Sequence, residues 1–282
     1  MRNSNHLLIG MMTILMLSTC DRREIPVQKP LLVVEGFIDD GGFPQVMLTT
    51  TLPISEELQS TDSISEHLLR WAKVTVSDDE QEVVLTGMVD NSYFPPFIYT
   101  TSRLRGKSGR NYTLHVDYED YHVSAVTTIP EIPVIDTLVV TCTEVDSLFG
   151  LSVYLRNNFI KNESYMTFVC MGARGKQWLP SYLGLTDNVT KQSCLCITVN
   201  RPRTLTNTQE YTPFFCKGDT LIVKIAHIDE QAYLFWKDYE NSTNFSRNPL
   251  FPFSQNNRSN IVGGVGCWYG CGAIKIPVII GE

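Results

Sequence analysis

No stretch of this 282-residue chain holds about twenty consecutive apolar residues, the length a helix needs to cross a bilayer. A spanning helix is therefore not expected. No block of lysine and arginine occurs either, and the net charge is −7, so the positive footprint that nucleic acid requires is missing. Catalytic signatures are just as scarce. There is no Gly-x-Ser-x-Gly elbow and no His-Glu-x-x-His pair. Gly263-Gly264-x-Gly266 lacks the Lys-Ser/Thr that completes a phosphate cradle, and its glycines are expected to serve a tight turn. Beyond the first residues only His67, His115, His122 and His227 remain. His115 and His122 flank the Glu119-Asp120 turn and read as solvated strand-edge residues rather than a metal pair. No catalytic residue, metal or cofactor is expected. Charged residues make up 19% and hydrophobic residues 43%, a balance that folds rather than stays disordered.

What is present begins at the N-terminus. Arg2 precedes an apolar run from Leu7 to Leu17, too short for a membrane span and suited to a signal segment. The run ends in Leu17-Ser18-Thr19-Cys20, which resembles the bacterial lipobox, although Thr19 replaces the usual small residue before the cysteine. The resemblance implies lipidation of Cys20 and removal of residues 1–19. Residues 20–30 then form a lipidated tether, and the chain is expected at the cell envelope, anchored in an outer membrane on the periplasmic or surface-facing leaflet. Several acyl chains on one cysteine hold a soluble body firmly, at about 0.8 kcal/mol per buried methylene.

Of the eight cysteines, setting Cys20 aside leaves seven, so at least one is unpaired. Cys194-Leu195-Cys196 and Cys267-x3-Cys271 lack the paired spacings of structural zinc, and no histidine is near either. A Cys267–Cys271 disulfide is the candidate pairing, with buried free thiols accounting for the rest.

Strand signals dominate the body. Two β-rich runs flank Asp39-Asp40-Gly41-Gly42, a hairpin signal. Residues 72–77 and 83–85 read as strands, and 109–117 and 121–127 alternate cleanly around a turn at Glu119-Asp120. This spacing predicts an immunoglobulin-like or transthyretin-like β-sandwich over residues 31–129. Ile129-Pro130-Glu131-Ile132-Pro133 breaks the pattern and marks a linker at 130–135. Residues 136–282 form a second β-rich domain, with strands at 135–142, 150–156, 165–171, 194–199 and 220–228 and a last strand at 274–280. Asp229 is placed to cap one short helix over Glu230 to Tyr239.

Three groups of residues carry a family resemblance. The first is Leu32-Val33-Val34-Glu35-Gly36-x-Ile38, shortly after the cysteine. The second is Gly109-x-x-Tyr112-x-Leu114-x-Val116, followed by Ser124-Ala125-x-Thr127-x-Ile129-Pro130 and Ile135-Asp136-Thr137-Leu138. The third is Asn248-Pro249 ahead of Ser259-Asn260-Ile261-x-Gly263-Gly264-x-Gly266-x-x-x-Gly270. Together they resemble the Bacteroidota lipoprotein family catalogued as domain of unknown function DUF4249, over residues 28–275. The resemblance implies an outer-membrane lipoprotein of a kind often encoded beside a TonB-dependent receptor, and it carries no catalytic residue set. Bacteroidota O-glycosylate exported proteins at Asp-Ser/Thr followed by an apolar residue, which makes Ser63 and Ser147 candidate acceptors; the matches at Thr137 and Thr220 fall in expected strands.

The aromatics supply the remaining candidates. Tyr93-Phe94-Pro95-Pro96-Phe97 packs rings beside two prolines that forbid a central strand, and Trp268-Tyr269 stands among glycines. Core filling is the ordinary role for such rings. If exposed, Tyr93, Phe94, Phe97 and Trp268 are candidate contacts to a partner, because binding energy concentrates in a few aromatic anchors. Two functions stay open: a non-catalytic accessory of a TonB-dependent receptor, or a stand-alone carbohydrate- or peptide-binding surface lipoprotein.

Overall fold

The computed structural model describes residues 30–51, 67–93, 96–145, 147–156, 163–172, 175, 177–188, 194–203, 211–245 and 258–281. The signal segment, Cys20 and Ser63 lie outside the described residues. The strands of the first half are β1 (Leu32–Asp39), β2 (Gln45–Thr50), β3 (Lys73–Ser77), β4 (Glu82–Val84), β5 (Thr86–Val89), β6 (Phe97–Thr100), β7 (Asn111–Tyr118) and β8 (Tyr121–Thr128). Those of the second half are β9 (Ile135–Cys142), β10 (Leu148–Arg156), β11 (Ser164–Met171), β12 (Leu179–Asp187), β13 (Cys194–Val199), β14 (Phe215–Cys216), β15 (Thr220–Ile228) and β16 (Val265–Ile279). Helix α1 (Glu230–Phe245) separates the last two.

The fold is mostly β and sandwich-like. One eight-stranded sheet runs β12-β11-β15-β16-β1-β2-β6-β5 and serves both halves of the chain. On one face it packs against two four-stranded sheets. The sheet β4-β3-β7-β8 covers the β1 side, around Leu32, Val34, Ile38, Val76, Tyr112 and Leu114. The sheet built on β10, with β9, β13 and β14, covers the β15 side, around Leu151, Val153, Ile197, Phe215, Val223 and Ile225. Strand alternation explains the split. Even positions of β1 and β16 point into these cores, and odd positions point to the opposite face, under α1.

The sandwich expected in the first half is present, and a strand from the second half joins it. β16 pairs in parallel with β1, Val33 against Val265 through Asp39 against Cys271, and it delivers Trp268 to the first core. A parallel neighbour requires a long crossover, and here the crossover is the entire second half of the chain. A fragment ending near residue 131 would leave the Trp268 site empty. The connector is no free tether either. A Cβ on Gly270 would fall 2.6 Å from the Thr128 carbonyl oxygen, so only glycine lets the connector cross β16 this closely.

Gly263 and Gly264 form the expected bend, with Gly263 at φ 83°, but the last strand, β16, begins directly after it at Val265 rather than at 274. β12 also escaped the sequence reading. Pro180 and Gly184 dilute its pattern, Leu183 takes φ 54°, and its register against β11 shifts between Met166 and Phe168. The helix follows its cap: the Asp229 Oδ1 accepts from the Ala232 N–H at 2.8 Å.

A candidate binding cleft on the outer face of the central sheet

The face of the eight-stranded sheet that turns away from the two sandwich cores holds a cavity of about 180 Å³. Register assembles it. From β1 come Glu35, Phe37 and Asp39, alternate residues on one face. β2 adds Gln45 and Met47, which oppose Phe37 and Glu35. β16 places Tyr269 against Phe37, and further along carries Lys275 opposite Lys224 of β15. Met166 and Phe168 of β11, Trp178, Pro180, Trp236 of α1 and Tyr93 complete the walls.

The cleft has two electrostatically different ends. At one, Lys224 donates to both oxygens of Asp39, at 2.6 and 2.8 Å, with both side chains nearly buried. The Lys224 ammonium also lies 5.2 Å from the ring centres of Phe37 and Phe168. Lys275 approaches Asp39 at 3.9 Å and lies 5.4 Å from the Trp178 ring centre. At the other end Glu35 makes no hydrogen bond or ion pair among the described residues. The residue is exposed at the mouth of the cleft, and the surrounding walls hinder hydration of its carboxylate. That desolvation pushes the Glu35 carboxyl up to about 7, with no neighbouring cation holding it down.

Aromatic rings link the ends. Phe37 and Tyr269 lie 6.0 Å apart, and Trp236 meets Tyr269 edge-on at 6.1 Å. The Trp236 Nε1–H is buried with no acceptor among the described residues. Beneath the rings the thiols of Cys267 and Cys271 and the hydroxyl of Tyr269 are all held protonated, chiefly by burial. These thiols are poor nucleophiles.

The residues singled out in the sequence scatter. Tyr93 lines the cleft, half-buried, and its hydroxyl donates to Gln45 Oε1. Burial pushes its phenol up to about 12. Phe94 lies outside the described residues. Phe97 packs against the first core and meets Tyr99 edge-on at 5.5 Å. Trp268 is corrected outright: it is fully buried and its Nε1–H donates to the Tyr112 carbonyl at 3.0 Å, so it is core and offers nothing to a partner. The Cys267–Cys271 pairing is corrected as well. Both are free and sit four residues apart on one extended strand, about 13 Å at the usual rise, where a disulfide needs its Cα atoms within about 7 Å. Ser147 is exposed on the turn leading into β10. His122 pairs with Asp117 at 2.8 Å rather than facing His115. No group of three or more His, Cys, Asp or Glu among the described residues is placed to hold a metal ion.

Glu35, Asp39 and Lys224 were missed as functional candidates. A signal existed: Lys224 interrupts the apolar strand Leu221–Ile228 and therefore needs a counter-charge. Its partner is 185 residues away and cannot be named from spacing.

A family model described as Domain of unknown function (DUF4249) matches residues 22–274. No curated protein matches the chain.

Proposed function

The chain belongs to the DUF4249 family, and from that premise together with the cleft we propose that it is a non-catalytic, lipid-anchored binding protein of the Bacteroidota outer membrane, an accessory of a TonB-dependent receptor. The cleft carries the reading. Its aromatic walls and a solvent-reachable carboxylate without a counter-charge form a surface for a ligand or a partner segment. The thiols buried beneath its rings are protonated, and its second carboxylate is held by Lys224, so its residues suit recognition better than bond-breaking. Anchorage rests on the lipobox-like run ending at Cys20. Among the described residues, no helix is long and apolar enough to cross a membrane.

Aromatic walls also favour a second reading, a stand-alone carbohydrate- or peptide-binding surface lipoprotein. Co-purification separates the two. Trp178 is half-buried at the cleft wall. Trp178→Ala should weaken recovery of the receptor from detergent-solubilised outer membranes at least tenfold, about 1.4 kcal/mol. The melting temperature should barely move. Undiminished receptor recovery by the variant would remove the cleft from the contact, and glycan- or peptide-array binding lost in the same variant would favour the second reading.

A further inference from the structure

We infer that the Glu35 end of the cleft receives an organic cation the size of a lysine side chain, its ammonium on the Glu35 carboxylate and its methylene stem against Phe37, Tyr269 and Trp236. The inference rests on the cleft being a binding site and names the chemistry that site takes.

Three observations carry it. The first is charge left over. Within the cleft Asp39 is matched by Lys224, with Lys275 alongside, whereas Glu35 has no counter-charge among the described residues. Glu35 and Asp39 stand four residues apart on one strand, about 13 Å between Cα atoms, and both lysines are engaged at the Asp39 end. Neither lysine neutralises Glu35, and the positive charge of each is offset by Asp39.

The second observation is the wall. Aromatic faces attract ammonium groups, more strongly where water is displaced. The cleft already holds two of the chain's own ammonium groups in this way, Lys224 over Phe37 and Phe168 and Lys275 over Trp178. At the Glu35 end the Tyr269 and Trp236 rings, edge-on at 6.1 Å, form a similar wall with no ammonium of the chain over them among the described residues.

The third is size. A cavity of about 180 Å³ fits one unbranched side chain with its ammonium and is too small for a drug-sized ligand, whose pockets start at about 300 Å³.

Ionisation supplies the readout. The titratable groups that interact with Glu35 are Cys267 and Tyr269 of β16; Tyr93, Asp39, Lys224 and Lys275 line the same cleft further along, and Cys271 lies beneath it beside Asp39. Of these, the two thiols and both phenols are held neutral through the neutral range by pKa values raised above their usual ones. Glu35 is pushed up to about 7, so its carboxylate forms as pH rises through that value. Cation binding should therefore strengthen with pH, by up to about tenfold per unit below 7, and level off above it.

The test uses the full mature protein in detergent and ligand-observed NMR. The probes are Nα-acetyl-lysine-N-methylamide, charged only at its side chain, and the norleucine analogue, which keeps the stem without the ammonium. The lysine probe should bind at pH 8 and weaken about tenfold by pH 6, while the norleucine probe binds at least tenfold more weakly at pH 8 and shows no such pH dependence. Glu35→Gln should lose the preference and the pH dependence without lowering the melting temperature. Tighter binding of a lysine-containing tetrapeptide than of 1,5-diaminopentane marks a peptide-borne cation, and the reverse order marks a free amine; either supports the site. Equal binding of the two amino-acid probes, or a Glu35→Gln variant that binds the lysine probe as the parent does, overturns the inference. If that happens while the receptor still co-purifies, only the cation site falls. If the lysine probe binds and no receptor is recovered, only the partner reading falls.

Discussion

Trp268→Ala is expected to destabilise the protein by about 3–5 kcal/mol, the range for emptying a large aromatic from a packed core. The indole is fully buried between the two layers of the first sandwich. Its Nε1–H satisfies the Tyr112 carbonyl at 3.0 Å, and truncation leaves that carbonyl without this donor. The surroundings have little means of collapsing into the space. Gly36, directly across from Trp268 in the β1–β16 pairing, already lets the ring sit so close that a Cβ there would be 2.8 Å from its Cε3. The melting temperature should fall by about 10 °C. Receptor recovery per folded molecule should stay unchanged, since the ring faces away from the cleft. An unchanged melting temperature accompanied by lost binding would return Trp268 to the surface and undo the description of the core.

Cys20→Ala should have the largest effect of any single substitution, on location rather than stability. If Cys20 bears the diacylglycerol and acyl chains that its sequence context implies, they supply nearly all of the membrane affinity, at about 0.8 kcal/mol per buried methylene. The variant should lose all label from a metabolic fatty-acid probe and leave the outer-membrane fraction. A variant that still takes up label and stays with the outer membrane would show that the anchor lies elsewhere.

How much of this was legible beforehand depends on how local each feature is. The β7–β8 hairpin could be read because Tyr112, Leu114 and Val116 alternate with polar residues and meet Thr127, Ala125 and Val123 across a two-residue turn. The helix could be read because Asp229 is a capping residue placed just before an apolar-spaced run. β16 could not. Its glycines imitate a turn, and what they serve, close passage of the connector and of β1, depends on strands far away in sequence. The error over Trp268 has the same source: an aromatic among glycines looks exposed until the parallel strand beside it is known. The cleft was the least legible feature. It draws on β1, β2, β11, β15, β16 and α1, and its main ion pair joins residues 185 apart. Even so, Tyr93 fell on its wall, because a proline-flanked aromatic segment tends to leave a ring partly uncovered.

On the proposed function, the anchored protein meets an outer-membrane receptor through this cleft. Photo-crosslinking in intact cells tests it most directly. p-Benzoylphenylalanine in place of Trp178 puts the reactive group at the cleft wall, and in place of Val84, exposed on β4 in a sheet on the opposite side, it provides the control. On irradiation the Trp178 position should give one dominant adduct, with a TonB-dependent receptor, and the Val84 position should not. Adducts of equal yield from both positions, or a receptor adduct from Val84 alone, would contradict the account.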